Sequence, residues 1–233
     1  MPSFLTWNIW GKKLSIDRFN EIIRSIIEQD PDFFALQEVP LEILKDFKIK
    51  NYFMIGYPFT NSYNTIIFSK HACITWTRYQ LPNTKMGRNL LVGDFILPNC
   101  ILSVGTFHLE SEFKKGSDEL KIMQLKYIFS IVQQLTVLMG DTNILSKEPI
   151  DGISTEVTDI FESIGSPKEL EDTYSGITNT NISNRLYNSR LDRIYSIQRP
   201  RIISKFKLIG SLPTYDQKHL SDHYAVYSEL SLP

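Results

Sequence analysis

The sequence predicts an α/β fold in which two packed sheets carry helices on their outer faces. Three observations lead there. Apolar runs of strand length recur along the whole chain. Two long stretches have helical spacing instead. The two kinds of segment are interleaved to the C-terminus, with no linker, internal repeat or low-complexity tract between them, so the 233 residues are expected to form one domain.

Ser3 to Asn8 reads as a first strand, broken by Gly11. Ser15 to Gln29 places Phe19, Ile22, Ile23, Ile26 and Ile27 on one helical stripe, which Pro31 ends. Asp32 to Val39 is a short apolar strand carrying Gln37-Glu38 near its end, and Pro40 to Phe47 suits a short helix. Strand candidates then crowd together at Tyr52–Ile55, Tyr63–Ser69, Cys73–Tyr79, Leu90–Leu97 and Ile101–Phe107. Turn residues such as Pro82-Asn83, Gly87 and Pro98-Asn99 separate them. Ser117 to Leu135 predicts a second amphipathic helix, capped by Ser117, with Leu120, Met123, Tyr127, Ile128, Ile131 and Leu135 sharing a face. The apolar run Leu135 to Met139 ends abruptly in Gly140-Asp141-Thr142-Asn143. Glu148 to Gly165 reads as a loop with a short helix, and Asp172 to Ser189, rich in Asn and Ser, as a surface loop. Strands return at Arg190–Ser196, Arg201–Leu208 and His223–Leu230.

Hydrophobic residues make up 42% and charged residues 22%, an ordinary globular balance. Cys73 and Cys100 form neither a disulfide framework nor a paired metal-ligand spacing, which suits a reducing compartment. No apolar run reaches membrane-spanning length, and Met1 to Gly11 lacks the basic start of a signal peptide. An intracellular protein without a membrane partner is expected. The formal net charge of −1 excludes a polycation, so any attraction for nucleic acid is local. Asp151 to Asp172 is mainly acidic. Asn181 to Lys207 is basic, with Arg185, Arg190, Arg193, Arg199, Arg201, Lys205 and Lys207. That stretch reads either as a solvated strand face or as a phosphate-attracting rim.

Polar residues collect at strand ends. Asn8 closes the first strand and Glu38 the second; His108 follows Ile101–Phe107. Asp141 and Asn143 follow Val137–Met139, Asp192 lies within Arg190-Leu191-Asp192-Arg193, and Asp222-His223 precede the last strand. Each has a local reading: Asn8 as a turn former, Glu38 as a surface acid, His108 as a satisfied histidine, Asp192 as a partner of Arg190 or Arg193, Asp222 as a turn residue. Six strand ends carrying this set together point further. If the strands are neighbours in two facing sheets, one rim gathers four carboxylates, two amides and two histidines. Such a hard, oxygen-rich set without Cys suits Mg²⁺ or Mn²⁺ and not structural zinc. A His with one Asp beside it and a second Asp to orient its ring can be held in one tautomer. Together these parts suit metal-assisted hydrolysis of a phosphate ester.

Thr6-Trp7-Asn8, Leu36-Gln37-Glu38, Gly140-Asp141-Thr142-Asn143, Arg190-Leu191-Asp192-Arg193-Ile194 and Ser221-Asp222-His223 occur in that order. In this the chain resembles the endonuclease/exonuclease/phosphatase superfamily from residue 3 to residue 230. The resemblance implies a single catalytic domain over residues 1–233. Its fold would be a deoxyribonuclease I-like, four-layered α/β sandwich of two packed, mostly antiparallel sheets flanked by helices. Pro82 to Leu91, Thr106-Phe107-His108-Leu109-Glu110-Ser111 and Thr142 are similar to the 5′-tyrosyl-DNA phosphodiesterases within it. That likeness implies Mg²⁺-dependent hydrolysis, with Mn²⁺ as a substitute, of 5′-phosphotyrosyl bonds between DNA and a protein tyrosine. Such bonds arise at stalled type II topoisomerases, and protein-linked RNA is a further substrate the likeness implies.

The resemblance also implies roles. Glu38 becomes the main metal ligand, with Asn8 and Asp222 in the metal and water network. Asp141 orients or deprotonates the attacking water, and Asn143 holds that water or the phosphate. His223, held by Asp192, stabilises the transition state, and His108 contacts the scissile phosphate from the other side. Lys85, Arg88, Ser111, Tyr174, Arg185 and Arg190 are candidate contacts to a single-stranded 5′ end; each also reads as ordinary surface. The chain departs from the pattern at Trp10, where an acid is frequent, which favours one metal over two. It departs again at Ile144-Leu145, where relatives continue with Leu and Arg and Lys147 is a stand-in, and at Tyr174, where a Trp is usual. A monomer in the nucleus or cytoplasm is the matching expectation. The alternatives are another superfamily activity (abasic-site endonuclease, 3′→5′ nuclease or phosphatase) and an inactive nucleic-acid-binding relative.

Overall fold

Strict alternation along β1 (Ser3–Asn8) sets the architecture. Phe4 enters one apolar layer, while Leu5 and Trp7 enter another on the opposite face. Its parallel neighbour β2 (Phe33–Pro40) obeys the same rule: Phe33 and Ala35 join Phe4, and Phe34 and Leu36 join Leu5 and Trp7. Parallel neighbours need a crossover, and α1 (Ile16–Ile27) supplies it. Ser15 caps this helix by accepting the Arg18 N–H (3.2 Å); of the predicted stripe Phe19, Ile22 and Ile26 are buried against Leu5 and Trp7, whereas Ile27 at its end is exposed. The structure is a computed structural model that describes residues 1–44, 47–56, 63–111, 117–132, 135–145, 157–184, 186–197 and 202–232.

The remaining elements follow in chain order: α2 (Leu41–Leu44), β3 (Phe53–Ile55), β4 (Tyr63–Ser69), β5 (Cys73–Gln80), β6 (Asn89–Ile96), β7 (Ile101–His108), α3 (Ser117–Ile131) and β8 (Thr136–Asp141). Then come β9 (Val157–Asp159), α4 (Ile160–Ser163), β10 (Tyr174–Ser175), β11 (Asn188–Ser189), β12 (Asp192–Ile197), β13 (Ile202–Ile209) and β14 (Ala225–Ser231). One six-stranded sheet runs β13-β14-β1-β2-β4-β3 and the other β5-β6-β7-β8-β12-β9. Among the described residues β1–β2 and β7–β8 pair in parallel; the other pairs are antiparallel. Phe4, Phe33, Phe95, Val104, Val137 and Met139 fill the space between the sheets. α1 covers the outer face of the first sheet, and α3 covers the second through Leu125 and Ile128 against Phe107, Leu138 and Tyr195. The expected two sheets with outer helices are therefore present.

Three local expectations need correction. The buried face of α3 is Lys121, Gln124, Leu125 and Ile128, whereas Met123 is exposed. The helix is turned because Gln124 serves backbone groups beneath it: its Nε2 donates to the Pro82 carbonyl (3.1 Å) and its Oε1 accepts the Glu110 N–H (3.2 Å). Within the expected loop 148–165, Val157–Asp159 pairs with β12 as an edge strand. Within the expected loop 172–189, β10 and β11 form a two-stranded ribbon.

The inner faces of the central strands become polar toward one end. On β1 the inward series is Phe4, Thr6 and Asn8; on β8 it is Val137, Met139 and Asp141. A fully buried polar layer separates the apolar core from that end. Gln37 Nε2 donates to Thr6 Oγ1 and to Thr106 Oγ1, each at 3.0 Å, and so joins the two sheets.

Candidate active site

Five strands deliver side chains to this polar end. His108 on β7 stands opposite Asp141 on β8, and Asp141 stands opposite Asp192 on β12. Gly140 permits the close approach of β7 and β8, since a Cβ there would lie 2.1 Å from the Phe107 carbonyl oxygen. Asn8 reaches across from the first sheet and donates through Nδ2 to Asp141 Oδ2 (2.9 Å).

β2 does not end at Glu38 as its sequence suggests. It continues to Pro40 through a bulge, where the register against β4 shifts between Leu36 and Val39. Glu38 sits in the left-handed region at φ 60°. Gly11 fits directly against it: a Cβ there would meet the Glu38 carbonyl at 2.0 Å, and the Gly11 N–H donates to Glu38 Oε2 (3.2 Å). The bulge brings the carboxylate to Asn8 Nδ2, 3.4 Å from Oε1.

Asp141 is the meeting point. His108 Nε2 lies 3.4 Å and His223 Nε2 3.9 Å from its Oδ2, while its Oδ1 accepts the Asn143 N–H (2.8 Å). Asn143, at φ 51°, also donates through Nδ2 to the Leu109 carbonyl (3.2 Å). Burial opposes ionisation of Asp141, but His223, His108, Asn8 and the Asn143 N–H outweigh it and hold the carboxyl below its ordinary range.

His223 Nδ1 lies 2.7 Å from Asp192 Oδ2. Burial disfavours a charged ring, yet Asp192, Asp141 and Asp222 hold its pKa well above the usual histidine value. Burial pushes Asp192 up to about 6, against the pull of His223. In this pair the proton belongs on His223, because two further carboxylates face the ring. Thr173 Oγ1 fixes the strand by accepting the N–H groups of Leu191 and Asp192, each at 3.0 Å. Trp7 Nε1 donates to the His223 carbonyl (2.9 Å), and the Tyr174 ring packs edge-on to the imidazole at 5.2 Å.

His108 is the opposite case. Arg88 Nη1 approaches its Nδ1 at 2.6 Å. Burial first, and then the neighbouring Arg88, put its pKa well below the usual value, so the ring is neutral. One imidazolium and one neutral imidazole thus flank a single carboxylate.

Glu38 and Asp222 fit a hard cation. Burial pushes the Glu38 carboxyl up; Asp141 and Asp222 add to this and His223 opposes it. Burial likewise raises Asp222, with Asp141 adding to it. Carboxylates gathered in this way form the charge pattern a divalent ion relieves. Asn8 lies beside these carboxylates: its amide nitrogen donates toward Glu38 and Asp141, and its Oδ1 accepts the Trp10 N–H (3.0 Å). Asp141, Asp192 and His223 also bring ligand atoms within 4.8 Å of one another.

A groove of about 560 Å³ runs beside the cluster, lined by Lys12, Glu38, Tyr63, Arg88, His108 and Ser111 among others. Arg88 Nη2 donates to Ser111 Oγ (3.3 Å) in its wall, and the exposed Lys85 lies on the adjoining turn. Sequence reasoning did not single out Lys12 or Tyr63. Arg185 and Lys147 lie outside the described residues. Arg190 is corrected: it is buried, with Asp159 at 2.8 Å, Glu162 at 3.0 Å and the Phe161 ring beneath it, and so is no nucleic-acid contact. Arg193 joins the same acids, so the basic and acidic stretches here neutralise each other. Ile144 is buried in the layer beneath α3, so no phosphate grip comes from that position.

Residues 5–223 match the Endonuclease/Exonuclease/phosphatase family. Tyrosyl-DNA phosphodiesterase 2 of Xenopus laevis is 28% identical over 249 residues, covering 99% of this chain and 66% of that protein. The Homo sapiens protein of the same name is 28% identical over 254 residues, covering 100% and 68%. The chain thus spans about two thirds of the length of these relatives. The structure of Danio rerio tyrosyl-DNA phosphodiesterase 2 complexed with single strand DNA product superposes with a TM-score of 0.87 at 23% identity, covering 97% of each chain. Enzymes of this family are generally dependent on a divalent metal. The match across nearly the whole sequence and the shared fold place the chain in the endonuclease/exonuclease/phosphatase family, as an enzyme homologous to tyrosyl-DNA phosphodiesterase 2.

Proposed function

We propose that the chain is a Mg²⁺-dependent phosphodiesterase that hydrolyses the 5′-phosphotyrosyl bond between DNA and a protein tyrosine. The observation that carries this reading is the placement of a cationic His223 and a neutral His108 on either side of Asp141. The names of the homologues supply the leaving group, and the single strand DNA product bound by the Danio rerio relative favours a single-stranded 5′ end.

The geometry supports the following roles. Mg²⁺, held by Glu38 and Asp222, would supply Lewis-acid neutralisation of phosphate charge. Asp141, kept ionised, accepts a proton from the attacking water, and Asn143 beside it helps to hold that water. His223 offers Nε2–H to one non-bridging oxygen and His108 offers Nε2–H to another. The P–O bond to water forms and the P–O bond to tyrosine breaks, leaving a 5′-phosphate and a tyrosine phenolate that takes a proton from solvent, to which Asp141 returns its own. With an ordinary pKa of about 10, the phenol is a competent leaving group. The reading takes residues 1–233 as one monomeric catalytic domain acting inside the cell in repair of topoisomerase II adducts; a tyrosine-linked RNA offers the same bond.

The test is release of tyrosine from a 5′-phosphotyrosyl single-stranded oligonucleotide, with and without Mg²⁺. Release with Mg²⁺ and its loss in EDTA are expected. Silence on this substrate, together with robust cleavage of abasic-site duplex, overturns the reading.

A further inference from the structure

The turn between β5 and β6 is organised by one carboxylate. Glu110 is fully buried, and its Oε1 accepts from Thr84 Oγ1 (2.5 Å), the Lys85 N–H (2.7 Å) and the Met86 N–H (3.1 Å). Among the described residues its Oε2 has no hydrogen-bond partner. Thr84 Oγ1 passes the restraint on by accepting the Arg88 N–H (2.7 Å). A buried carboxylate is costly unless several donors meet it, so an ordinary surface turn has no need of one.

What the turn aims is Arg88. A guanidinium has donors only, so in the 2.6 Å contact the Nδ1 of His108 accepts. The ring proton of neutral His108 then sits on Nε2, the nitrogen facing Asp141 at 3.4 Å. A proton on Nδ1 instead would clash with Arg88 and leave a lone pair toward the phosphate.

We propose that Glu110 is a positioning residue: it pins the 84–88 turn so that Arg88 holds His108 in the tautomer that presents Nε2–H to the substrate phosphate. The inference rests on the phosphodiesterase reading above. Glu110 touches no reacting atom, and its action runs through Thr84, Arg88 and His108 in turn.

Long-range ¹H–¹⁵N NMR of the histidine side chains reads the His108 tautomer without substrate, and so independently of which ester the enzyme cleaves. The wild type and Glu110→Gln, which keeps the Oε1 acceptor, should show Nε2–H with an unprotonated Nδ1. Glu110→Ala and Arg88→Ala should lose that preference. On the phosphotyrosyl oligonucleotide, Glu110→Ala should lower kcat by up to about 10²-fold, the cost of a small misplacement. Combined with Arg88→Ala it should cost little more than Arg88→Ala alone. Thr84→Val cuts the same chain of bonds while keeping the carboxylate, and carries the test if Glu110→Ala does not fold. A folded variant of either kind with the wild-type His108 tautomer overturns the proposal, as do losses that multiply in the double variant.

Discussion

His223 Nδ1 and Asp192 Oδ2 stand 2.7 Å apart, in a pair almost closed to solvent. The carboxylate both orients the ring and keeps it cationic. The raised pKa of His223 makes the imidazolium the form present until pH rises through that folded value, where both its charge and its contribution to stability are lost. The stability contribution is complete below the ordinary histidine value of about 6.5. Asp192→Asn keeps a hydrogen bond but removes the charge. The basic limb of kcat/KM should move to lower pH, and activity at pH 8 should fall by about 10²–10³. A pH–rate profile of the two proteins checks both; an unmoved basic limb removes the assigned role.

Asp141→Asn is nearly isosteric and leaves β8 and the Asn143 turn in place. It removes the carboxylate that takes the water proton. A loss of about 10²–10³ in kcat is expected in the phosphotyrosyl assay. Full activity in this variant would falsify the mechanism assigned to Asp141.

Glu38 and Asp222 make a prediction that needs no substrate. Mg²⁺ binding to the folded state alone should stabilise the protein, by about 2.7 kcal/mol at a hundredfold excess over its Kd. Thermal melts with and without Mg²⁺ measure this. Glu38→Gln should abolish most of the Mg²⁺-dependent rise, whereas an equal rise in that variant places the ion elsewhere.

Arg190 separates structure from substrate contact. Replacing it by Met leaves Asp159 and Glu162 without their principal partner, though Arg193 remains 3.4 Å from Asp159. A destabilisation of about 3 kcal/mol is expected in urea, with KM for the oligonucleotide unchanged. The reverse pattern, an intact fold with weakened DNA affinity, restores the rim reading of the basic stretch.

Much of the site could be read from sequence because strands alternate with period two and end where apolar runs end. Asn8, Asp141 and Asp192 sit where that rule puts them, and β1 alternates between its two apolar layers. What escaped depends on bonds between distant positions. Gln37 reads as one more strand residue until Thr106, 69 positions away, accepts its amide. Glu110 and Gln124 gain their importance from backbone groups that no periodicity reports, and serving them turned α3 away from its predicted face. Glu38 reaches the cluster by a local geometry the sequence did not show, because a bulge is a compromise between a strand and its partner and leaves no mark in composition. Arg190 looked exposed because the acids that bury it come from a separate stretch of chain.

The Gln37 amide also has a mechanical consequence. Asn8 and Glu38 ride on one sheet, and His108, Asp141 and Asp192 on the other. Apolar side chains between two sheets resist separation far better than sliding, since contact area changes little when one face shears over another. A slip of about 3.3 Å, one residue of strand, would carry the two halves of the cluster out of reach. Gln37, bonded to Thr6 and Thr106 at once, acts as a dowel between the plates. With the Asn8–Asp141 bond above it, that amide holds the alignment of the centre from one layer beneath.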